Sequence, residues 1–473
     1  MEELIMKLNE ILLSTDLDIE ISGISYNSRL TKPGDVFVAI TGFQTDGHKY
    51  AKNAVEKGAV CVVCEYEPEG VEVPCIKVEN SRLALAEMAC NFYGNPTSKL
   101  NLIGVTGTNG KTTVTYLVKN ILEENGEKVG LMGTNKNMIG DRDYHTERTT
   151  PESLEMQEFF AEMLKEGCTC AIMEVSSHSL ELHRVAGCNY KVGAFTNLTQ
   201  DHLDFHGDME NYFKAKSKLF AMCETGVVNC DDKYGARLCE GCECNTISYG
   251  IHCGDLVAKN IVFGDKGVAF DCGNMKINLG IPGEFSVYNA LTAIGICKAL
   301  GVSDKVIEKA LNGAEGVKGR AEIVDCGRDF TLLIDYAHTP DGLENILESV
   351  RNFAKGRVVV LFGCGGDRDK TKRPKMGRVA GRLADFCIVT SDNPRSEEPD
   401  AIIRDILDGM DDAMAEYVVI ENRRDAIEYA IKHARRDDVI VLAGKGHEDY
   451  QILKDKTIHF DEREVIRDIL NNG

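Results

Sequence analysis

Lys111 is a candidate catalytic residue because of the sequence around it. It follows Gly107 and Gly110 in a glycine-rich stretch between an apolar, strand-like run and a helix-like run. Glycine lets the backbone approach an anion closely, and the N–H groups at the start of a helix point toward it. Lys111 would supply a charge for terminal phosphates, and Thr112 a hydroxyl for a metal ion. The sequence therefore predicts a nucleotide-phosphate loop made of Gly107, Thr108, Asn109, Gly110, Lys111, Thr112 and Thr113.

The spacing of this loop differs from the regular pattern. Four residues usually separate the first glycine from the Gly-Lys pair, but that position is Val105 here, and Gly104 lies one residue too early. The alternative is an ordinary glycine-rich turn between a strand and a helix. Lys-Thr-Thr directly after Gly110 has no packing role in such a turn, which favours the phosphate loop.

Two later strand-like runs end in polar side chains. One ends at Glu174, ahead of Ser176, and the other precedes a cluster that contains Asp201 and His202. Ligands bind at the carboxyl ends of parallel strands in α/β sheets. For a histidine alone, a hydrogen-bonded core position is the alternative. Because no apolar run of the Walker-B type, with its metal-binding aspartate, is evident, we predict that Glu174 and His202 take its place as Mg²⁺ ligands, beside Thr112.

The last third of the chain alternates strand-like and helix-like runs, which is typical of a doubly wound α/β domain. Four of its strand-like runs end in polar stretches, at residues 335–340, 363–369, 391–399 and 444–449. A single polar strand end is common in α/β domains. Four polar strand ends at the same edge of a sheet predict that this edge forms an active site.

The length of 473 residues suggests three domains, which we place at residues 1–97, 98–318 and 319–473. We expect an α/β fold throughout: a small N-terminal α/β domain, a central parallel-sheet domain with the phosphate loop, and a C-terminal Rossmann-like domain. The net charge of −21 argues against a surface that binds nucleic acid or anionic membranes.

Cysteine usage and apolar runs bear on the compartment. Eighteen scattered cysteines do not resemble a disulfide framework, so we expect a cytoplasmic protein. No apolar run approaches membrane-spanning length, and residues 1–13 favour an amphipathic helix over a signal peptide. Cys239, Cys242 and Cys244 have possible metal spacing, but no second pair lies nearby, which favours surface cysteines.

The loop Gly-Val-Thr-Gly-Thr-Asn-Gly-Lys-Thr-Thr resembles that of the Mur ligases, which build the peptide stem of bacterial peptidoglycan. The resemblance covers nearly the whole chain and includes Glu-Val-Ser-Ser-His at 174–178, Asp-Tyr-Ala-His-Thr-Pro at 335–340 and Gly-Lys-Gly-His-Glu-Asp at 444–449. Folylpolyglutamate synthetases share the loop and are the in-class alternative. The N-terminal 97 residues and the Asp-Asn-Pro-Arg stretch at 392–395 argue against them. A nucleotide-binding regulatory protein without ligase chemistry is the alternative from another class.

The resemblance implies an ATP-dependent acid–amino-acid ligase, closest to the member that adds the third stem residue. ATP would phosphorylate the D-glutamate side chain of UDP-MurNAc-L-Ala-D-Glu. The amine of meso-diaminopimelate, or alternatively of L-lysine, would attack the acyl phosphate. A monomer is expected.

Lys216 has a special position in this resemblance. Its segment, Tyr-x-x-Ala-Lys-x-x-Leu-Phe, matches the one whose lysine is carbamylated by CO₂ in the family. The alternative is a third surface lysine beside Lys214 and Lys218. The carbamate would be a further Mg²⁺ ligand, which gives the implied catalytic set Lys111, Glu174, His202 and Lys216. The remaining implied ATP contacts are Asn289, Arg320 and Asp335, with Asn289 in the first turn of a helix that begins at Glu284 or Ser286.

The resemblance also implies contacts to the UDP-linked substrate: Tyr26, Ser28, Phe43, Gln44, Thr45, Thr149, Thr150, Ser176 and Arg184. Thr150 is in addition the predicted N-cap of a helix with Pro151 at its first position. Arg148 and Leu182 depart from the polar residues that relatives often carry there.

The identity of the added amino acid can be predicted from charge. Diaminopimelate differs from lysine by a carboxylate beside its distal amine, so its site needs a cation as well as acceptors. Arg395 can grip a carboxylate bidentately, and Asp392 can accept from the ammonium. A surface pair of Arg395 with Glu397 or Glu398 is the alternative. With the residues implied by resemblance, the set is Arg368, Asp392, Asn393, Pro394, Arg395, Gly444 and Glu448, and it favours diaminopimelate over lysine.

Overall fold

The computed structural model describes residues 5–42, 45–146, 148–264, 266–410 and 415–472. The predicted substrate contacts Phe43 and Gln44 lie outside the described residues. No helix in these ranges is long and apolar enough to cross a membrane.

The N-terminal unit is a four-stranded parallel sheet in the order β3-β4-β5-β6, beside a small antiparallel pair. Its elements are β1 Met6–Lys7, α1 Leu8–Ile11, β2 Glu20–Ile21, β3 Gly23–Ser25, β4 Asp35–Val38, α2 Ala51–Glu56, β5 Cys61–Cys64, β6 Cys75–Lys77 and α3 Ser81–Phe92.

The amphipathic helix predicted for residues 1–13 is wrong in its extent. Among the described residues 5–13, only Leu8–Ile11 is helical, because Met6 and Lys7 instead pair with Ile21 and Glu20 in a short β-ladder. Leu8 and Ile11 are fully buried, so the apolar spacing that suggested a longer helix corresponds to a single helical turn.

The central unit is built on an eleven-stranded sheet in the order β10-β9-β8-β11-β7-β12-β13-β14-β15-β16-β17. Its seven middle strands are parallel, and both ends are antiparallel. Its first elements are β7 Asn101–Thr106, α4 Lys111–Glu124, β8 Val129–Met132, β9 Asn137–Ile139, β10 Arg142–Tyr144, α5 Ser153–Lys165, β11 Cys170–Glu174, α6 Ser177–Glu181, β12 Tyr190–Phe195, α7 Leu203–His206 and α8 Met209–Ser217. The others are β13 Cys223–Asn229, α9 Lys233–Gly241, β14 Asn245–Gly250, β15 Leu256–Gly264, β16 Gly267–Cys272, β17 Met275–Leu279, α10 Glu284–Ala299 and α11 Asp304–Asn312.

The strand β7 lies at the centre of this sheet and is covered on both faces. Ile103 and Val105 pack into the core beneath α4 and α10, while Leu102 packs into the core on the other face. Eleven of the sixteen residues of α10 are buried, which suits a helix that is apolar nearly all round. Gly104 has a packing role, because a Cβ there would lie 2.7 Å from the Tyr190 ring. Its early position in the loop motif is thereby explained.

The C-terminal unit is a six-stranded sheet in the order β18-β19-β23-β20-β21-β22, parallel except for β18. Its elements are β18 Glu322–Val324, β19 Thr331–Asp335, α12 Pro340–Arg351, β20 Val358–Phe362, α13 Lys372–Leu383, β21 Phe386–Val389, α14 Pro399–Leu407, β22 Glu416–Val419, α15 Arg423–Lys432, β23 Val439–Ala443, β24 Tyr450–Ile452, β25 Thr457–His459 and α16 Glu462–Asn472. Buried apolar residues cover both faces of the sheet. The predicted fold class, three α/β units with a doubly wound C-terminal one, is confirmed.

The cysteines form one crosslink rather than a framework. Cys230 and Cys253 are joined as a disulfide, and the other sixteen are free. The thiols of Cys242 and Cys244 lie 3.7 Å apart. Among the described residues, however, the only three potential metal ligands that lie mutually close are Cys230, Asp231 and Cys253.

Candidate active site

The predicted phosphate loop joins β7 to α4 and requires glycine at two points. Gly110 is the N-cap of α4 with φ 86°, and a Cβ there would lie 2.4 Å from Asn289 Oδ1. At Gly107 a Cβ would lie 1.9 Å from Thr196 Oγ1. The loop is thus pressed against the end of β12 and against α10, with its N–H groups at the start of α4.

Hydrogen bonds from the residues after β12 fix the loop. Thr108 N donates to Asn197 O (2.9 Å) and Asn109 N donates to Asn197 Oδ1 (2.9 Å). Thr196 Oγ1 donates to Asn109 O (2.6 Å). Sequence reasoning missed Thr196 in this role, because its contact arises only when β7 and β12 pair.

Two lysines converge on one carbonyl oxygen. Lys111 Nζ donates to Gly107 O (2.9 Å) and Thr108 O (2.8 Å), while Lys216 Nζ donates to Gly107 O (2.8 Å). Burial lowers the pKa of Lys111. Burial lowers the pKa of Lys216 well below its usual value, and the nearby Lys111 charge adds to the shift.

Lys216 is not a surface lysine. It lies on α8 with 1% of its surface exposed and its ammonium 4.6 Å from the centre of the Tyr212 ring. Lys214 and Lys218, by contrast, are exposed. The helix therefore turns one lysine of the three toward the phosphate loop.

Glu174 ends β11 and is 1% exposed. It accepts hydrogen bonds from Thr112 Oγ1 (3.0 Å), Thr134 N (2.8 Å) and Thr134 Oγ1 (2.9 Å). Thr134 Oγ1 also lies 3.0 Å from Thr149 Oγ1. A carboxylate and a hydroxyl side by side at the phosphate loop are the hard oxygen donors that Mg²⁺ prefers, so Thr112 and Glu174 fit that ion.

His202 follows Asp201 with φ 53°, and its ring is 46% exposed. Its Nε2 lies 3.5 Å from Asp201 Oδ2. Partial burial, with the charges of nearby lysines, lowers the pKa of His202 to about 4, so the imidazole is neutral near pH 7 and free to coordinate a metal. Within the described ranges, Glu174 and His202 do not belong to a close group of three His, Cys, Asp or Glu ligands.

The predicted helix cap at Thr150 is wrong. The helix α5 begins at Ser153 with Glu152 as N-cap. The Thr150 hydroxyl is engaged elsewhere: it donates to Glu174 O (2.9 Å) and lies 3.3 Å from Ser176 Oγ. It therefore ties the Thr149–Thr150 turn to the end of β11 and brings the predicted contact Ser176 into the same site.

Three arginines surround Glu152, which is 8% exposed. Arg82, Arg148 and Arg184 place a guanidinium nitrogen 3.1, 2.8 and 3.0 Å from its carboxylate. Arg184 also donates to Thr150 O (3.3 Å). Arg148, which differs from the residues that relatives often carry at this position, therefore adds a cation beside the predicted substrate contact Arg184.

The remaining predicted substrate contacts lie farther along the N-terminal unit. Tyr26 Oη donates to Glu155 on α5 (2.5 Å), so Tyr26 joins the N-terminal unit to the central one. Ser28 is half-buried on the turn after β3. Thr45 donates to Tyr50 Oη (3.2 Å) on an exposed turn. Leu182 is half-buried at the end of α6.

The start of the C-terminal unit contributes two predicted ATP contacts. Arg320 donates to Thr112 Oγ1 (3.3 Å) and packs over the Tyr336 ring at 4.7 Å. Asp335 accepts from the N–H groups of Ala321 (2.7 Å) and Ala337 (2.8 Å). Burial raises the pKa of Asp335, and the Arg320 charge opposes that shift.

A cavity of about 580 Å³ contains the phosphate loop and reaches Asn289, Arg320 and Asp335. Since α10 begins at Glu284, Asn289 lies in its second turn rather than the predicted first. The cavity thus gathers the predicted nucleotide contacts of both units in one space.

Asp341 links the two units directly. This residue of α12 accepts from Asn109 Nδ2 (2.5 Å) in the phosphate loop and from Thr199 Oγ1 (2.8 Å). Burial raises the pKa of Asp341. The sequence offered no signal for this residue, because both partners in the central unit are far away along the chain.

A second cavity, of about 980 Å³, lies at the strand ends of the C-terminal unit. Its walls include Arg368, Asp392, Asn393, Arg395, Gly444 and Glu448. It shares Asp201, His202 and Asp341 with the nucleotide cavity. The predicted amino-acid pocket therefore opens onto the phosphate site.

Polar contacts shape this second cavity. Asn393 donates to Glu448 Oε2 (2.8 Å), and Arg395 donates to Gly366 O (2.9 Å). Burial and the Asp392 charge raise the pKa of Glu448. Arg368 donates to Asp367 O (3.1 Å).

The alternative of a surface pair at Arg395 is contradicted. Glu397 pairs with Arg373 and Lys370, and Glu398 pairs with Lys454. Arg395 instead lies in the left-handed region with φ 52° and lines the cavity. Pro394 precedes it, and the Pro394 carbonyl lies so close to Gly366 that a Cβ there would be 1.9 Å from it.

Three stretches match known families. Residues 20–93 match the Mur ligase family catalytic domain, residues 105–297 the Mur ligase middle domain, and residues 319–446 the Mur ligase glutamate ligase domain.

Similar proteins cover nearly the whole chain. A protein of Caldanaerobacter subterraneus subsp. tengcongensis, named UDP-N-acetylmuramoyl-L-alanyl-D-glutamate–2,6-diaminopimelate ligase, is 53% identical over 460 residues, 96% of this chain and 95% of its own. One of Clostridium tetani with the same name is 51% identical and covers 99% of both chains. A solved structure of that name has a TM-score of 0.72 at 29% identity over 99% of both chains.

A more distant structure shares the fold. The MurF ligase of Thermotoga maritima, solved in complex with ADP, has a TM-score of 0.63 at 18% identity over 95% of this chain and 97% of its own. With three family matches and relatives more than 50% identical, the chain belongs to the Mur ligase family, whose members use ATP to form amide bonds.

Proposed function

We propose that this protein joins meso-diaminopimelate to the D-glutamate of UDP-MurNAc-L-Ala-D-Glu, with ATP as the energy source. The observation that carries the proposal is the meeting of the two cavities at Asp201 and His202. One cavity has a phosphate loop and the other has both acidic and cationic walls. The names of the relatives support the same reaction.

The phosphate loop and Lys111 would hold the ATP phosphates while the substrate carboxylate attacks the terminal one. Lys111 would turn from Gly107 O and Thr108 O toward the phosphates, a short movement for a flexible side chain. Bound Mg²⁺ would neutralise phosphate charge, and Thr112, Glu174 and His202 would hold it. Preorganised cations at the transferred group are a large part of catalysis in such reactions.

We propose that Lys216 is carbamylated. Its lowered pKa favours the free amine, which adds to CO₂ and releases one proton to give an anionic carbamate. The contact of Nζ with Gly107 O puts that group beside the loop. Its two oxygens would serve as a further anionic ligand of the metal.

The acceptor substrate would lie along the line from the N-terminal unit to the phosphate loop. Tyr26, Ser28 and Thr45 would contact its UDP end. Thr149, Thr150, Ser176 and Arg184 would contact the muramyl dipeptide, since they adjoin Glu174.

The incoming amino acid would bind in the second cavity. Arg395 would grip the distal carboxylate of diaminopimelate, and Asp392, Asn393 and Glu448 would meet the distal ammonium. Lysine would leave Arg395 unpaired. The loss of one buried, charge-assisted contact is worth about 2–5 kcal/mol, enough for strong discrimination.

The setting that fits this reaction is the cytoplasm, where we propose the protein acts as a monomer in peptidoglycan precursor synthesis. The acceptor, the amino acid and ATP are its partners.

The test is ligation with UDP-MurNAc-L-Ala-D-Glu, ATP and either meso-diaminopimelate or L-lysine, with product mass and phosphate release as readouts. We expect kcat/KM for diaminopimelate to exceed that for lysine by at least 100-fold. Arg395→Ala should raise the KM for diaminopimelate steeply, because the carboxylate loses its cation. The matched control is Arg424→Ala, an exposed arginine of α15. Equal kcat/KM for the two amino acids would overturn the specificity, and phosphate release without an amine would overturn the ligase.

A further inference from the structure

Lys445 is a fully buried lysine that the proposed reaction does not use. It follows β23 directly, between Gly444 and Gly446, and has 0% of its surface exposed. A buried ammonium is costly unless it is paired and hydrogen-bonded. The residues that pair with Lys445 therefore indicate the role of its charge.

These partners belong to the wall of the amino-acid cavity. Lys445 Nζ donates to Asn393 Oδ1 (3.1 Å) and lies 3.4 Å from Glu448 Oε2 and 3.3 Å from Asp392 Oδ1. Lys445 Nζ also donates to Tyr450 O (2.8 Å), on the strand that follows, and lies 5.9 Å from the centre of the Phe460 ring. A lysine has three N–H donors, and two of the three hydrogen bonds of Lys445 go to this wall.

The same contacts set the charge of the wall. Asp392 and Glu448 are both carboxylates, and like charges at this range repel. Lys445 offsets one of the two, which leaves about one negative charge for a ligand ammonium. It also holds Asn393 so that its amide N–H group donates to Glu448.

We propose that Lys445 is a positioning residue that determines which amino acid the cavity accepts. This inference rests on the proposed function. Lys445 holds Asn393 and Glu448 behind the ligand and lies beside Asp392, so that the charges of Lys445, Asp392 and Glu448 sum to about one negative charge. That charge matches an amino acid whose distal end bears both an ammonium and, toward Arg395, a carboxylate.

The test is Lys445→Met, which keeps the length of the side chain and removes its charge. We expect the KM for meso-diaminopimelate to rise at least tenfold, while the KM for ATP changes less than twofold. The preference for diaminopimelate over L-lysine, as a ratio of kcat/KM, should fall at least tenfold, because the extra negative charge favours the more cationic lysine.

The matched control is Asp438→Asn. Asp438 is also buried and pairs with Arg357, at the opposite end of β23 from Lys445. Within the described ranges, Asp438 forms no hydrogen bond or ion pair with Asp392, Asn393 or Glu448. This variant should leave the KM for diaminopimelate and the amino-acid preference within twofold of wild type.

Lys445→Arg is the second variant and keeps the charge without the geometry. It should raise the KM for diaminopimelate at least threefold and leave the preference over lysine within threefold. If a thermal melt shows that Lys445→Met does not fold, the Lys445→Arg result tests the proposal in its place. An unchanged KM for diaminopimelate, or an equal rise in the KM for ATP, overturns the inference. If wild type itself does not prefer diaminopimelate, the proposed function fails, and that result is obtained from wild type alone.

Discussion

The carbonyl oxygen of Gly107 accepts hydrogen bonds from both Lys111 and Lys216, at 2.9 and 2.8 Å. Two ammonium groups so close together repel, and the charge of Lys111 lowers further the pKa of Lys216, which burial has already lowered. An anion at this point relieves the repulsion. The arrangement is therefore suited to receive phosphate at one lysine and to acquire a negative charge at the other.

Lys216→Ala is expected to lower the ligation rate by about 100-fold, which is typical when one preorganised group at a phosphoryl or acyl centre is removed. ATP binding, measured by calorimetry, should survive within a fewfold, because the loop itself is held by Thr196 and Asn197. Acetate should restore part of the rate by replacing the carbamate. The matched control is Lys214→Ala, an exposed lysine of the same helix, which should retain wild-type rate.

Carbamylation has its own direct readout. Protein equilibrated with ¹³C-labelled CO₂ should give a carbamate carbon resonance that disappears in Lys216→Ala and persists in Lys214→Ala. A rate insensitive to CO₂ depletion, together with no such resonance, would contradict the carbamate and leave the positional role of Lys216 intact.

At the scale of elements, α13 braces two turns that line the amino-acid cavity. Its Arg373 is fully buried and donates to both oxygens of Glu397, to Asp405 and to Gly365 O. Glu397 in turn accepts from Asp367 N (2.7 Å). The turns after β20 and β21 are therefore held together by one ion-pair network beneath the pocket.

This network makes stability depend on pH. Hydrogen bonds from Arg373 hold the pKa of Glu397 at about 2. Because the folded protein lowers that pKa, the stabilisation is fully present above the ordinary glutamate value near 4.5 and is lost as the pH falls toward 2. We expect Glu397→Gln to lower the free energy of unfolding by about 1 kcal/mol at pH 7, because solvent screens a pair whose carboxylate is partly exposed.

The measurement is urea unfolding of wild type and Glu397→Gln at pH 7, 5 and 4. The difference between the two proteins should be the same at pH 7 and 5 and smaller at pH 4. Glu398→Gln is the control, since Glu398 forms an exposed pair with Lys454. A difference that grows as the pH falls would contradict this assignment of the stabilisation.

At the scale of the whole molecule, Asp341 ties the C-terminal unit to the phosphate loop, as Arg320 does through Thr112. Asp341→Ala should raise the KM for ATP by about tenfold, since a charge-assisted hydrogen bond is worth about 1.5–3 kcal/mol. Asp425→Ala, an exposed carboxylate of the same unit, is the control. An unchanged KM for ATP in Asp341→Ala would show that the loop does not depend on this contact.

Much of the site could be predicted because it is local in sequence. The strand, loop and helix around Lys111 lie within about 25 consecutive residues, and Glu174 and Asp335 each end an apolar strand. Strand ends of a parallel sheet meet at one edge, so the side chains that follow them can be grouped from the sequence alone.

The rest depends on contacts between distant segments. Thr150 has good helix-cap chemistry, but its hydroxyl bonds to β11, which a local rule cannot foresee. The burial of Lys445 requires the turn after β21 to close over the stretch 445–450. Asp341 forms its contacts only when the central and C-terminal units meet. Residues 6–7 illustrate the same limit, because strand pairing replaced the helix that their local pattern favoured.

The hydrogen bonds among the side chains that line the amino-acid cavity constrain how this protein can evolve. Asn393 is bonded to Lys445, to Glu448 and to the N–H group of Ile452, so one side chain of the turn after β21 holds the distant stretch 445–452 in place. A lineage that altered only the Asp-Asn-Pro-Arg turn would leave buried charges unpaired, and unpaired buried charges destabilise the fold. A change in the accepted amino acid would need several substitutions at once, so descendants of this protein should rarely switch the amino acid that they add.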